Sequence, residues 1–181
     1  MKPRRICQTG FNYGTSALAF LCGSPDSVVY SWDIDHWAYV RPAERWLRGR
    51  YGKGRVVNIY GDSLDTLRDL TSLRGLLAER GEDLPLCDLV LVDGYHGRGG
   101  AYQDLLNLRH ISRPEAVVII DDCKVFDIFP WIFREVNRAQ REEVLTRLDD
   151  GAEVGAGLPP LYWLRGQIED NRNYCVGKFR A

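Results

Sequence analysis

The chain has 181 residues, of which 24 are basic and 25 acidic. This length suits one domain with a substantial core, and a net charge of −1 offers no general attraction to nucleic acid or to an anionic membrane. No apolar run approaches the roughly 20 residues that cross a bilayer, and the basic start leads into a strand pattern instead of a signal-peptide core. We therefore expect one domain, residues 1–181, in the cytoplasm, with a small-molecule partner and neither nucleic acid nor membrane. A homo-oligomer stays open.

The five cysteines are an odd number and occur singly: Cys7, Cys22, Cys87, Cys123 and Cys175. Most of them lie in apolar segments, which indicates neither a disulfide framework nor a zinc site. We expect reduced and mostly buried thiols. Cys123, beside two aspartates, is an alternative nucleophile, but no histidine stands at a spacing that would activate it.

A strand, a glycine loop and a helix open the chain. The apolar run from Ile6 breaks at Gly10, turns through small polar residues to Gly14 and continues as an apolar helix to Cys22. Glycine permits close backbone approach, and a helix N-terminus favours an anionic or polar ligand. The Gly-x-x-x-Gly spacing differs from the dinucleotide fingerprint, which argues against a nicotinamide-dependent oxidoreductase.

The second predicted strand, residues 28–33, ends in Asp33, which lies 19 positions after Gly14. An acid at this place can accept hydrogen bonds from ribose hydroxyls. The two strands and the helix between them therefore predict a nucleoside site.

A helix over residues 42–48 follows, with apolar side chains at 43, 46 and 47 on its predicted inner face. Its other face and the next turn are basic, with arginines at 41, 45, 48, 50 and 55 and a lysine at 53. Such a cluster suits either an anion or nucleic-acid patch or a solvated helix face. The neutral total charge favours the solvated face.

The middle of the chain repeats the strand and helix alternation. A third strand, residues 56–60, is closed by Gly61, Asp62 and Ser63, and leucines between 64 and 77 predict one helix ending near residue 81. A fourth strand, residues 86–92, is apolar throughout most of its length and is followed by Asp93 and His96.

The last third of the chain adds a helix over residues 101–111 and a fifth strand, residues 116–120, which ends at Asp121 and Asp122. Another helix begins at residues 129–130, with proline in its first turn. Strand patterns at residues 161–165 and 174–179, joined through a polar turn at 169–173, predict a hairpin and an antiparallel final strand.

The predicted fold is therefore α/β, a doubly wound, mostly parallel, seven-stranded sheet with an antiparallel C-terminal strand. Ligands of such sheets bind at the carboxyl ends of the strands. The acids predicted at this rim are Asp33, Asp62, Asp93, Asp121 and Asp122. Any one of them could be only a helix cap, but five at corresponding places predict a shared functional rim.

The motifs together resemble the class I S-adenosylmethionine-dependent methyltransferases, and the likeness runs from Ile6 to Phe179. Gly10–Ala17, Gly61–Ser63 and Leu91–His96 are similar to a branch of small enzymes near the metal-dependent O-methyltransferases. The resemblance implies a Rossmann-like methyltransferase fold, S-adenosylmethionine as the cofactor, and methyl transfer to a small hydroxylated molecule.

Carried over to this sequence, the resemblance implies that Gly10 and Gly14 shape the methionine pocket, that Asp33 binds ribose, and that Asp62 faces the adenine amine. The full implied set of cofactor-binding residues is Gln8, Gly10, Asn12, Gly14, Asp33, Asp62, Ser63 and Asp93. Gln8 departs from the family, which usually has an acid there. An amide can still accept from the cofactor's ammonium but lacks the charge-assisted part of the bond.

The metal-dependent relatives imply a divalent cation, such as Mg²⁺, at Asp93, Asp121 and Asp122, because carboxylates are hard oxygen ligands. Such an ion would acidify a bound substrate hydroxyl. His96 stands where those relatives often carry a lysine base, and histidine, with an ordinary pKa of about 6.5, suits a general base near neutral pH. The expected catalytic residues are thus His96 and Asp93. The alternatives are a structural loop histidine and acids that cap helices or contact water.

The sequence is also consistent with a second function, a catalytically silent module that keeps the nucleoside pocket. Gln8 favours it, as does a sequence that starts almost at the first strand, because related enzymes usually carry earlier helices that help to close the site.

Overall fold

A computed structural model describes residues 2–84, 86–123, 130–145 and 174–180. Its sheet contains the strands β1 (Arg5–Thr9), β2 (Val28–Asp33), β3 (Val56–Tyr60), β4 (Cys87–Val92), β5 (Ser112–Ile120) and β6 (Cys175–Lys178). They lie in the order β3-β2-β1-β4-β5-β6. The first five strands are parallel, and β6 pairs with β5 in the antiparallel sense. The predicted fold class is confirmed. The further strand predicted at 161–165, and the turn at 169–173, lie outside the described residues.

The helices that the structure describes between these strands are α1 (Thr15–Gly23), α2 (Val40–Tyr51), α3 (Ser63–Thr66), α4 (Leu70–Ala78), α5 (Gly100–Ile111) and α6 (Pro130–Arg141). Within the described part of the chain, none of them has the length and apolar character needed to cross a membrane.

Alternate residues of each strand pack on opposite faces of the sheet and form two hydrophobic cores. On one face, Cys7 and Trp32 pack with buried residues of α4, α5 and α6. On the other face, Ile6 and Val29 pack with buried residues of α1 and α2. Since side chains along a strand alternate in direction, burial on both faces explains why the strands are apolar at nearly every position.

The single helix predicted from Ser63 to about residue 81 is wrong, because the chain forms two helices there. Asp62 caps α3 by accepting from the Leu64 N–H at 2.9 Å, and Asp69 caps α4 by accepting from the Ser72 N–H at 3.0 Å. A carboxylate at a helix N-cap satisfies a free N–H donor. The second cap therefore starts a new helix inside the leucine pattern.

Helix α2 is longer than predicted, and its inner face differs from the expected one. Trp46, predicted to be buried, is 59% exposed, whereas Val40, Glu44 and Leu47 are buried. Glu44 accepts a hydrogen bond of 2.6 Å from the Tyr60 hydroxyl and pairs with Arg48. A charged residue can occupy an inner face when its oxygens find such partners.

The expectation of reduced cysteines is wrong for four of the five. Cys7 of β1 is bonded to Cys87 of β4, and Cys123, just after β5, is bonded to Cys175 of β6. Cys22 is the free, exposed cysteine. Residues far apart in sequence meet because the sheet places their strands side by side. The alternative of Cys123 as a nucleophile fails, since its sulfur is in a disulfide. Disulfides persist in oxidising surroundings, so the cysteines give no support to a cytoplasmic location.

We predict that thiol titration of the denatured, unreduced protein finds one thiol, that of Cys22, and that peptide mapping recovers both bonds. Reduction should lower the free energy of unfolding by about 2–4 kcal/mol per bond, since each bond closes a long loop in the unfolded chain. As a control, the Cys22→Ser variant should titrate no thiol before reduction. Five free thiols in the purified, unreduced protein would contradict the pairing.

Candidate active site

A cavity of about 600 Å³ opens at the carboxyl ends of β1, β2, β3 and β4. Strand β1 has β2 on one side and β4 on the other, so the strand order reverses at β1. The cavity is lined by Gly10, Asn12, Asp33, Ile34, His36, Trp37, Asp62, Ser63, Leu64, Asp93, Gly94, Tyr95 and His96. Both its volume and its position are typical of a small-molecule site.

The glycine loop packs directly against the end of β4. Gly10 has φ +77°, and a Cβ built on it would lie 2.0 Å from the carbonyl oxygen of Asp93. Its N–H donates to the carbonyl of Trp32 at 2.8 Å. Only glycine permits both this conformation and this approach. The loop therefore joins the ends of three neighbouring strands.

Asp33 holds the glycine loop in place. One of its carboxylate oxygens accepts from the N–H groups of Phe11 at 2.8 Å and Asn12 at 2.9 Å. The other accepts from the N–H of Asp35 at 2.7 Å. An ionised carboxylate has about four acceptor positions, so three are used by the backbone. Asp33 thus shapes the loop and keeps acceptor capacity for a ligand donor.

The α3 cap places a second carboxylate at the cavity wall. Asp62 is exposed there and uses one oxygen as the helix cap. The next residue, Ser63, donates its hydroxyl to a carboxylate oxygen of Asp104 at 2.8 Å. Asp104 lies on α5 below the cavity and is fully buried.

Burial raises the pKa of Asp104 to about 6, because the charged form loses its solvation. Hydrogen bonding by Ser63 and interaction with the Thr9 hydroxyl act in the opposite direction, and the negative charge of Asp62 adds to the rise. A carboxyl group with a pKa close to neutral therefore lies directly beneath the site.

His96 lies between two carboxylates at the other end of the cavity. Its Nε2 is 3.2 Å from a carboxylate oxygen of Asp122 and 3.6 Å from one of Asp93. Its backbone carbonyl accepts a hydrogen bond of 2.6 Å from the indole of Trp131 on α6. The flanking carboxylates can stabilise a proton on the imidazole ring. The arrangement suits a proton acceptor.

Helix α6 also supports the loop that carries His96, at the end of that loop where α5 begins. The carboxylate of Glu135 accepts from the N–H groups of Gly99 and Tyr102, at the start of α5. Gly99, the N-cap residue of α5, has no capping side chain of its own. Glu135 and Trp131 together anchor the segment that carries His96.

The metal ligands predicted at Asp93, Asp121 and Asp122 do not come together as a set. Across residues 2–84, 86–123, 130–145 and 174–180, no group of three histidine, cysteine or acidic side chains could hold an ion. The imidazole of His96 lies beside Asp93 and Asp122 instead. The described residues therefore offer no set of three ligands for a cation.

Aromatic and aliphatic side chains form the mouth of the cavity. Ile34, Trp37 and Tyr95 line it and are each more than half exposed. Beside them, the rings of Tyr13 and Tyr39 stack with their centroids 3.7 Å apart. The mouth thus offers flat apolar surface for a ligand with a ring.

Most of the predicted site residues line this one cavity: Gly10, Asn12, Asp33, Asp62, Ser63, Asp93 and His96. Four do not: Gln8, Gly14, Asp121 and Asp122. Gln8 is fully buried within β1, and Gly14 is the N-cap of α1. Asp122 reaches the site through His96.

Sequence reasoning missed Ile34 and Tyr95 as lining residues, and it missed Asp104 below the floor. Ile34 directly follows β2 and Tyr95 lies in the short loop after β4, and this closeness to a strand end is a usable signal. Asp104 falls on the same helical stripe as Ala101, Leu105, Leu108 and Ile111. A lone acid in an apolar stripe indicates a buried carboxylate with a specific partner.

Comparisons with known proteins agree with this geometry. Residues 7–123 match the family described as "Methyltransferase domain". A comparison with curated protein sequences found no match. Many solved structures share the fold.

Three of the structural neighbours illustrate the likeness. TomG from Streptomyces achromogenes, an O-methyltransferase solved with SAM, is 17% identical, with a TM-score of 0.66 over 99% of this chain and 74% of its own. An O-methyltransferase from Bacillus cereus, solved with SAH, is 16% identical, with a TM-score of 0.65 over 99% and 75%. A candidate O-methyltransferase from Nostoc punctiforme is 15% identical, with a TM-score of 0.63 over 97% and 51%.

The chain thus spans about half the length of the Nostoc protein and about three quarters of the other two. At these identities the structural neighbours establish the fold. The sequence match carries the family, since it extends over well over half of the chain, from β1 through β5. This protein belongs to the methyltransferase domain family.

Proposed function

We propose that this protein is an S-adenosylmethionine-dependent O-methyltransferase that acts on a small hydroxylated molecule. The observation that carries the proposal is the convergence in one cavity of the Gly10 loop, Asp33 and Asp62, with His96 lining the same cavity. A nucleoside cofactor needs acceptors for ribose hydroxyls and an adenine amine, and an O-methyl acceptor needs a group that takes its proton.

The residues of the cavity suit the cofactor. The remaining acceptor capacity of Asp33 would serve the ribose, Asp62 the adenine amine, and the Gly10 loop the methionine part. Gln8 does not line the cavity, but its side-chain amide donates to the carbonyl of Gly10 at 3.3 Å and so supports the glycine loop from behind. When bound, S-adenosylmethionine supplies an electrophilic methyl group on a sulfonium centre.

His96 would act as the general base. Its ring takes the proton of the acceptor hydroxyl, and the carboxylates of Asp122 and Asp93, at 3.2 and 3.6 Å from Nε2, stabilise the resulting imidazolium. Trp131 and Glu135 hold the loop that presents the ring. Much of the remaining catalysis is alignment of the acceptor with the methyl group.

The divalent cation predicted at Asp93, Asp121 and Asp122 stays a prediction, and so do the cytoplasmic location and a homo-oligomer. The alternative of a silent binding module is favoured by Gln8, because a neutral amide there weakens the grip on an ammonium group. The two functions differ in turnover and agree in cofactor binding.

We predict that S-adenosylhomocysteine binds the wild-type protein and that Asp62→Asn weakens this binding about tenfold or more, the expected loss for a hydrogen bond to a charged group. Asparagine caps helices as well as aspartate does, so the thermal stability should stay unchanged. Calorimetric titration and thermal unfolding measure the two effects.

The matched control is Asp69→Asn, which alters the equivalent cap of α4 away from the cavity. It should leave the affinity unchanged. Equal losses in both variants would contradict a direct role for Asp62, and a wild-type protein that fails to bind at millimolar ligand would end both candidate functions.

We predict that His96→Asn lowers the turnover number about 100-fold or more, the usual contribution of a general base, while the affinity for S-adenosylhomocysteine stays within about twofold of the wild type, because the change spares the nucleoside contacts. An acceptor is first found by screening small phenols and aliphatic alcohols for methylation. His110→Asn, an exposed histidine near the end of α5, is the control.

The same assay, run with Mg²⁺ and with a chelator, tests the cation. Turnover that is indifferent to Mg²⁺ and to Asp121→Asn would remove the metal and leave the methyltransferase. Tight cofactor binding with no turnover on any acceptor would favour the silent module.

A further inference from the structure

Asp104 is a buried acid that the proposed chemistry does not use. It sits on the inner face of α5 among apolar neighbours and has no exposed surface. Burying a carboxyl in such surroundings is costly unless its hydrogen bonds compensate. An apolar residue would pack there at lower cost, so the acid calls for a specific explanation.

The surroundings of Asp104 supply one, because its carboxyl group meets the ends of three strands. One oxygen accepts from the Ser63 hydroxyl at 2.8 Å, directly after Asp62. The other lies under Gly94, where an added Cβ would be 2.9 Å from it and 2.9 Å from the hydroxyl of Thr9. Thr9 immediately precedes Gly10, and Gly94 immediately follows Asp93.

We propose that Asp104 is a positioning residue that sets the ends of β1, β3 and β4 at the spacing the nucleoside cofactor requires, acting mainly through Ser63. The inference rests on the function proposed above. Asp104 does not line the cavity, so it acts on the ligand through the residues above it. The residues adjacent in sequence to Thr9, Ser63 and Gly94 are Gly10, Asp62 and Asp93. All three of these adjacent residues line the cavity.

The test compares two substitutions of similar size. Asp104→Leu removes the acceptor and should weaken binding of S-adenosylhomocysteine about tenfold, whereas Asp104→Asn keeps an acceptor for Ser63 and should stay within about twofold of the wild type. In a Ser63→Ala background, Asp104→Leu should add less than about twofold, since contacting residues are not additive.

The control is Asp88→Asn, another largely buried acid, which lies at the opposite end of β4 and accepts from the N–H groups of Arg4 and Arg5. It should lower thermal stability without changing affinity. If Asp104→Leu binds as well as the wild type, or if Asp88→Asn loses as much affinity, the positioning role is overturned. Failure of the wild-type protein to bind would instead overturn the proposed function itself.

A second readout covers the case in which Asp104→Leu is too unstable to titrate. Amide hydrogen exchange of the ligand-free Ser63→Ala variant should be faster than in the wild type at α3 and at residues 93–96, and unchanged at the amino end of β4. Unchanged exchange at α3 and at 93–96 would contradict the proposal.

A pH series checks the burial on which the geometry depends. Since the pKa of Asp104 is raised from 3.8 to about 6, its stabilising effect is complete below about pH 3.8 and is lost as the pH rises to about 6. The melting temperature of Asp104→Asn relative to the wild type should therefore rise between about pH 4 and 6 and level off above. A flat difference would show a solvated carboxyl and overturn the proposed role.

Discussion

The close approach of Gly10 to the carbonyl oxygen of Asp93 is the constraint on which the site depends. The glycine loop can lie on the end of β4 only because no side chain intervenes, with a Cβ excluded at 2.0 Å. This contact lies between β1 and β4, at the point where the strand order reverses. The loop, the acids of the neighbouring strands and the His96 segment then face one cavity.

Carboxylates perform different tasks around this cavity, and their surroundings decide which. Asp33 accepts three hydrogen bonds from backbone N–H groups and so stabilises the loop. Asp62 caps helix α3 with one of its oxygens and remains exposed. Asp122 and Asp93 flank an imidazole ring. Asp104, without exposure, has a raised pKa and one bonded hydroxyl. A single residue type thereby builds, caps and supports the same site.

The sheet is braced at two places remote from one another in sequence. One disulfide joins β1 to β4, and the other ties the end of β5 to β6, the antiparallel strand. The second bond lies beside Asp122, the partner of His96. Helix α6 adds Trp131 and Glu135 to the same segment. The His96 segment and its partner Asp122 are therefore held from several directions, which favours a preformed arrangement of the imidazole ring and its carboxylates.

Apolar patterns predicted the alternation of strands and helices, apart from the break between α3 and α4, and they predicted the acids at the strand ends. Apolar periodicity is a local property of the sequence and delimits each strand. Asp33, Asp62 and Asp93 can therefore be placed at strand ends from the sequence. Side-chain partners, by contrast, depend on distances between segments. Only the tertiary structure paired Cys7 with Cys87, set His96 against Asp122, and placed Asp104 beneath Ser63. Each of these contacts joins residues that no periodic pattern relates, because the folding of the sheet brings them together.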